Sequence, residues 1–339
     1  MARKFLRGRW YKGILFFVLF LIVAAVFFYF RFQPTADHGW GLNFSPEQAE
    51  YFGFDSQKLF LTVLDDLRPE RMRVTSFWET LEPLPGQFDF AVTDSILREA
   101  EKRGAAVILV LGHKQPRWPE CHHPSWYDEL PEQEKNAAVL SMLKAAVEHF
   151  RQFSSVAAWQ VENEPFFPYG PDCPAVPGKL MTEELRLVKS LDARPLIITD
   201  SGEKGAWLPA AWAGADVFGS TMYRQVYQDK WGRYLKYPIP AAVYRIRAGI
   251  LQTFSKVNRI IGVELQAEPW FSTNPFDTPW ERQSELMSPE IFLEYADYAR
   301  RVGFAENYFW GVEWWYWAKA QGHPEMWEAA KEFFEANRE

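Results

Sequence analysis

The chain has 339 residues, a formal net charge of -7, and a composition that is 48% hydrophobic and 17% aromatic. So apolar a chain buries a large core, which excludes disorder. The acidic balance, with no block of Lys and Arg in the body, leaves no footprint for a nucleic-acid backbone.

The first element is Gly13–Phe30, GILFFVLFLIVAAVFFYF, an uncharged stretch long enough to cross a bilayer as a helix. Arg3, Lys4, Arg7, Arg9 and Lys12 precede it and little but Arg31 follows, so the positive-inside bias predicts a cytoplasmic N-terminus and an extracytoplasmic body. A cleaved signal peptide is the alternative. The run exceeds the usual apolar core of such peptides, about 7–15 residues, and no small-x-small cleavage site follows, which favours a retained anchor. The organisation expected is a cytoplasmic basic segment (1–12), an anchor (13–30), a linker (31–37) and one body (38–339).

Beyond the anchor one rhythm repeats. The apolar runs Trp40–Phe44, Arg71–Phe77, Ala105–Gly112, Val156–Asn163, Pro195–Asp200, Asp216–Tyr223, Arg259–Leu265 and Asn307–Trp315 read as strands. Between them, Ser56–Leu67, Ala91–Arg103, Glu132–Phe153, Thr182–Ser190, Ala241–Val257, Pro289–Val302 and Glu325–Asn337 carry helical periodicity. Several strands are apolar on both faces, as a parallel sheet covered by helices requires. Eight such units over this length predict an α/β chain folded as a (β/α)₈ TIM barrel behind the N-terminal helix. An open doubly wound sheet fits less well, since NFSPEQ stands after the first strand where a Gly-rich phosphate loop would be.

A barrel keeps its site at the C-terminal ends of its strands. Those ends carry Asn43, Arg73 with Trp78, His113, Asn163 and Glu164, Tyr223, Glu264 and Glu268, and Trp310 with Glu313. No Ser or Cys there has an adjacent base, so carboxylates must carry the chemistry. Glu164 and Glu264, on the fourth and seventh strands, would face each other across the mouth. Two carboxyls about 5–5.5 Å apart suit a retaining glycosidase, one as acid/base and one as nucleophile. Asn163 beside the acid suits a donor to a sugar hydroxyl. His113 reads either as a substrate contact or as a capping residue, Glu162 as the partner of an interior Arg, and His122 and His123 as surface loop. Trp118, Trp126, Trp270, Trp280, Trp314 and Trp315 fall in or beside mouth loops, where rings stack on sugar faces.

Cys121 and Cys173 lie in Pro-rich loops after the third and fourth strands, adjacent on the same face, and are a possible disulfide in an exported body. A metal site at Cys121, His122 and His123 is the weaker reading: adjacent side chains diverge and no second Cys/His pair has zinc spacing. No cofactor and no metal is expected.

The NEP of Asn163–Pro165 on the fourth strand, with a seventh-strand glutamate, resembles clan A of the retaining glycoside hydrolases. GLNFSPEQAEYFGFD (41–55) and RMRVTSFWETLEPLPGQFDF (71–90) resemble the first two βα segments of its β-galactosidase and cellulase-like branches, and the likeness runs from about Gly39 to Trp317. The resemblance implies Glu164 as acid/base, Asn163 as hydroxyl-binding partner, Arg73 as the cation holding the nucleophile ionised, Tyr223 as a hydroxyl near that nucleophile, and Trp310 as a platform under the sugar. The seventh strand, GVELQAEPW, departs from the pattern in offering two glutamates. Glu264 is preferred to Glu268 because the apolar run Ile260–Val263 ends directly before it. Trp78, His113 and Trp270 complete the expected substrate contacts. The function expected is hydrolysis of a β-linked glycoside or polysaccharide outside the cytoplasmic membrane; the alternative is a non-catalytic carbohydrate-binding envelope protein on the same barrel.

Overall fold

The computed structural model describes residues 2–36, 38–169 and 172–338. Every apolar run becomes a strand: β1 (Gly39–Phe44), β2 (Arg71–Val74), β3 (Ala106–Leu111), β4 (Val156–Val161), β5 (Leu196–Asp200), β6 (Val217–Met222), then, past a hairpin of β7 (Gln225–Gln228) and β8 (Arg233–Lys236), β9 (Arg259–Gln266) and β10 (Glu306–Trp310). Eight of them close into a barrel in the order β1-β10-β9-β6-β5-β4-β3-β2, and the neighbours pair in parallel. The protein is a (β/α)₈ barrel.

Both strand faces are covered, as the unbroken apolar runs require. Inward-facing Ile108, Ala158, Ile197, Val217, Ile261, Val263 and Tyr308 fill the barrel as one cluster, while a larger one lies between strands and helices. Helix Pro289–Val302 shows how the outer layer forms. Phe292, Tyr295, Ala296, Ala299 and Val302 recur at three- and four-residue spacing and are buried, proline occupies the first turn, and Ser288 caps the N-terminus by accepting from the Ile291 amide.

The last run is shorter than its apolar character suggests. At Gly311, φ 128°, the chain turns into helix Val312–Ala320. Trp314 and Trp315 are therefore fully buried against the barrel wall rather than at the mouth, and the Trp315 indole donates to the Ala267 carbonyl at 2.7 Å. The β7–β8 hairpin after β6 had no counterpart in the periodicity.

The N-terminal helix Ala2–Arg31 holds one apolar span, Lys12–Arg31, of mean hydropathy 2.9. Its last turns lie against helix Ala241–Phe254. The rings of Phe28 and Phe254 are 5.9 Å apart, and the Arg245 guanidinium donates to the Tyr29 hydroxyl at 2.9 Å. Gly249 permits the approach: a Cβ there would stand 1.9 Å from the Phe28 carbonyl oxygen. Phe32 is buried edge-on to Phe304, and the Thr35 amide donates to Gly303. The segment expected as a linker is thus packed against the barrel up to Thr35; Asp37, at its end, lies outside the described residues.

Candidate active site

Parallel register brings the polar strand ends together. Asn43 on β1 stands opposite Arg73 on β2, and Thr221 on β6 opposite Glu264 on β9. The Arg73 side chain is fully buried and meets four acceptors: Gln160 Oε1 at 2.7 Å, Asn43 Oδ1 at 2.8 Å, and Glu264 Oε1 and Asn163 Oδ1 at 2.9 Å each. The Tyr223 hydroxyl donates to the other oxygen of Glu264 at 3.0 Å. A planar fork held by four side chains keeps that carboxylate in one orientation.

Glu164 lies just past β4 in a left-handed conformation, φ 42°, and its amide donates to Thr199 Oγ1 at 2.8 Å. The Tyr169 hydroxyl donates to Glu164 Oε2. Burial, and next the negative charge of Glu264, push the Glu164 carboxyl well above the ordinary carboxylate range. Both glutamates line one cavity with Tyr223, Trp270, Tyr169, Tyr237, Glu120 and Glu203. Trp270 stands edge-on to Tyr223, ring centroids 5.4 Å apart, with a surface left open to solvent.

The loop after β3 forms much of the remaining wall. Cys121 and Cys173 are joined in a disulfide, with Cα atoms 5.4 Å apart, tying this loop to the one after β4. The Cys121 sulfur is thereby unavailable to a metal, and no group of His, Cys, Asp and Glu among the described residues could hold one. Glu120, with φ 74°, turns inward and accepts from Asn163 Nδ2 at 3.0 Å. Burial and the charge of Glu264 raise its carboxyl to about 8. Arg117 of the same loop binds Glu268 at 2.6 Å and Glu313 at 2.9 Å.

Asn163, Glu164, Arg73, Tyr223, Glu264 and Trp270 therefore meet at one place, and other expected residues do not. Trp78 is completely buried, its indole donating to Glu82 at 2.7 Å, and it is a core residue. His113 sits behind the wall, Nδ1 3.2 Å from Glu162. Among the described residues Glu162 meets no arginine; it accepts from the amides of His113 and Lys114 and so ties down the loop after β3. His122 is not surface loop: it is buried, stacked on Phe77 with centroids 3.6 Å apart. Trp310 offers no open platform, because Arg117 lies 4.1 Å over its ring and its indole donates to Glu268 at 2.8 Å. Glu268 belongs to that ion-paired network, away from the cavity wall. Sequence reasoning missed Glu120, Tyr169 and Glu203, all from loops.

This fold and its strand-end residues are similar to those of the TIM-barrel glycoside hydrolases. Residues 61–176 match the glycoside hydrolase family 42 model, described as β-galactosidase. Similar solved structures include an endo-β-1,4-xylanase of family 10 from Gloeophyllum trabeum, 17% identical, TM-score 0.55, aligned over 81% of this chain and 85% of that one. Another is a family 5, subfamily 18 protein from Bifidobacterium longum subsp. longum, 11% identical, TM-score 0.58, over 81% and 70%. The β-galactosidase of Rahnella sp. R3 is 13% identical with TM-score 0.61, and the alignment spans 89% of this chain but 56% of that longer one. A search of curated proteins gives no match. By fold and by its partial family match, the chain resembles the clan A glycoside hydrolases.

Proposed function

We propose that the chain is a membrane-anchored, extracytoplasmic glycoside hydrolase that cleaves a β-linked glycoside with retention, Glu264 serving as nucleophile and Glu164 as acid/base. One observation carries the reading: in a single cavity, one carboxyl is bound by an arginine and a tyrosine hydroxyl while its neighbour is pushed toward the protonated form. Pairs of carboxyls whose environments separate their protonation states divide acid from base work. A binding protein has no use for that division.

In the first step Glu264 attacks the anomeric carbon as Glu164 gives its proton to the departing glycosidic oxygen, leaving a glycosyl ester on Glu264. The negative charge of Glu264 is then gone, so the carboxyl of Glu164 loses that part of its upward push and can accept a proton. Water attacks the anomeric carbon, Glu164 takes its proton, and the Glu264 carboxylate departs. Arg73 and Tyr223 hold Glu264 in line throughout, and Trp270 offers an apolar ring surface to the sugar. The apolar helix behind a basic segment supports the location, and the disulfide fits an oxidising compartment.

The test is a panel of activated aryl β-glycosides. Glu164→Ala should spare glycosylation by good leaving groups and be rescued by azide; Glu264→Ala should abolish turnover, with azide yielding a product of inverted configuration. If Glu268→Ala shows the second pattern instead, the assignment is reversed. If none of these changes affects hydrolysis, the reading fails. Protease added to spheroplasts should digest the body; protection until lysis would remove the extracytoplasmic placement.

A further inference from the structure

Two catalytic carboxyls suffice for retention, yet the cavity contains two more that the proposed mechanism does not use, Glu203, which is held by Thr221, Tyr244 and the Tyr223 amide, and Glu120. Glu120 is delivered by a left-handed turn next to the Cys121–Cys173 bridge, so two covalent and conformational constraints place it there. One of its oxygens takes the hydrogen of Asn163 Nδ2 at 3.0 Å. The backbone amide of Arg117 and, at longer range, the Lys114 ammonium also favour its charged form, but burial outweighs them.

Asn163 flanks the acid, and under the proposed function it addresses the substituent beside the anomeric carbon, where hydrogen bonds strengthen in the transition state. Here its oxygen is engaged by Arg73, and one of the two hydrogens on its nitrogen by Glu120. The Glu120 carboxyl therefore stands beside that substituent, on the wall of the same cavity. No nearby cation forms an ion pair with it: Arg73 binds Gln160, Asn43, Glu264 and Asn163, the Lys114 ammonium donates to the carbonyls of Glu164 and Phe167 and acts on Glu120 only at longer range, and Arg117 holds Glu268 and Glu313. A hydroxyl meeting this carboxyl supplies a hydrogen bond alone, whereas an ammonium supplies a charge-assisted one and favours the ionised form of Glu120.

We propose that the sugar bound at the reacting position carries a free amine beside its anomeric carbon, and that Glu120 selects it; the substrate class is a de-N-acetylated amino-sugar glycoside or polymer. This rests on the glycosidase reading of the site. Burial raises the Glu120 carboxyl to about 8, and an arriving ammonium is the change that would ionise it.

The experiment uses the full chain in detergent at pH 6 with nitrophenyl 2-amino-2-deoxy-β-glycosides of gluco and galacto configuration, beside their 2-hydroxy and 2-acetamido counterparts. In the matching configuration kcat/KM should favour the amine by at least about tenfold, and raised salt should reduce the preference. Glu120→Gln, which retains an oxygen for Asn163, should bring the ratio close to unity. Binding of glucosamine and galactosamine, followed by calorimetry, gives a second readout. Equal cleavage of amine and hydroxyl forms, or a preference unchanged in Glu120→Gln, overturns this inference and leaves the glycosidase reading standing. Amine binding that depends on Glu120 without any cleavage does the reverse. Should Glu120→Gln not fold, the salt dependence in the unaltered chain decides.

Discussion

Replacing Arg73 with Met removes a buried cation while nearly keeping its length, and the structure says what is left behind. Glu264 becomes a buried anion with Tyr223 alone as donor, and Asn43 Oδ1 and Gln160 Oε1 lose their donors, while Asn163 Oδ1 keeps Thr199 and Gln160 at 3.3 Å. Breaking a buried pair from one side costs ~3–5 kcal/mol, and each orphaned neutral acceptor adds ~1 kcal/mol or more. The total, about 5 kcal/mol, is a large part of a typical domain's stability. Adding Glu264→Gln removes the stranded charge and should restore roughly 2 kcal/mol, although the double variant carries one more substitution. At ~2 °C per kcal/mol for a large domain, Arg73→Met should lower Tm by roughly 10 °C and the double variant by less. Near-ultraviolet circular dichroism, which follows the barrel's many tryptophans, reads this out. A double variant no more stable than Arg73→Met would show that Arg73 does not act as the counter-charge of Glu264.

Reducing the Cys121–Cys173 bridge reopens a connection of 52 residues, for which chain entropy gives roughly 4 kcal/mol; because the loop also carries Arg117 and Glu120, KM should rise more than kcat falls, and unchanged Tm and KM would refute the role. For Glu120 the sign follows from its raised carboxyl: the folded state holds the proton longer than the unfolded one, so the group costs stability progressively from about pH 4.5 up to about 8. Glu120→Gln should therefore raise Tm at pH 9 relative to its effect at pH 4, and an equal effect at both would count against the burial argument. Gly249→Val should force the N-terminal helix off helix Ala241–Phe254, hastening proteolysis just beyond Arg31; an unchanged cleavage rate would mean the close contact with Phe28 does not hold them together.

The barrel was legible because parallel strands covered on both sides read as short apolar runs, and their order put Arg73, Glu164, Tyr223 and Glu264 at the ends of the second, fourth, sixth and seventh barrel strands. Side-chain direction was not legible. A tryptophan after a strand looks the same in sequence whether it faces the mouth, as Trp270 does, or the core, as Trp78, Trp314 and Trp315 do. The settings of Trp310 and Glu268 were not legible for a related reason: their partner Arg117 comes from a distant loop whose path no periodicity encodes. Glu120 carried a faint signal, its place beside a cysteine expected to be bridged, but the inward turn depends on backbone geometry that one sequence does not reveal.

The packing of Phe28 and Tyr29 on helix Ala241–Phe254, with Phe32 and Thr35 fastened at Phe304 and Gly303, makes the junction a stiff joint. These last contacts lie where β10 and β1 begin, at the rim opposite the mouth. A bilayer that grips the helix consequently holds the barrel at fixed reach and tilt, with its opening unobstructed by the attachment. Such an enzyme would harvest a shell of set depth around the cell, and polymer chains would have to come to it.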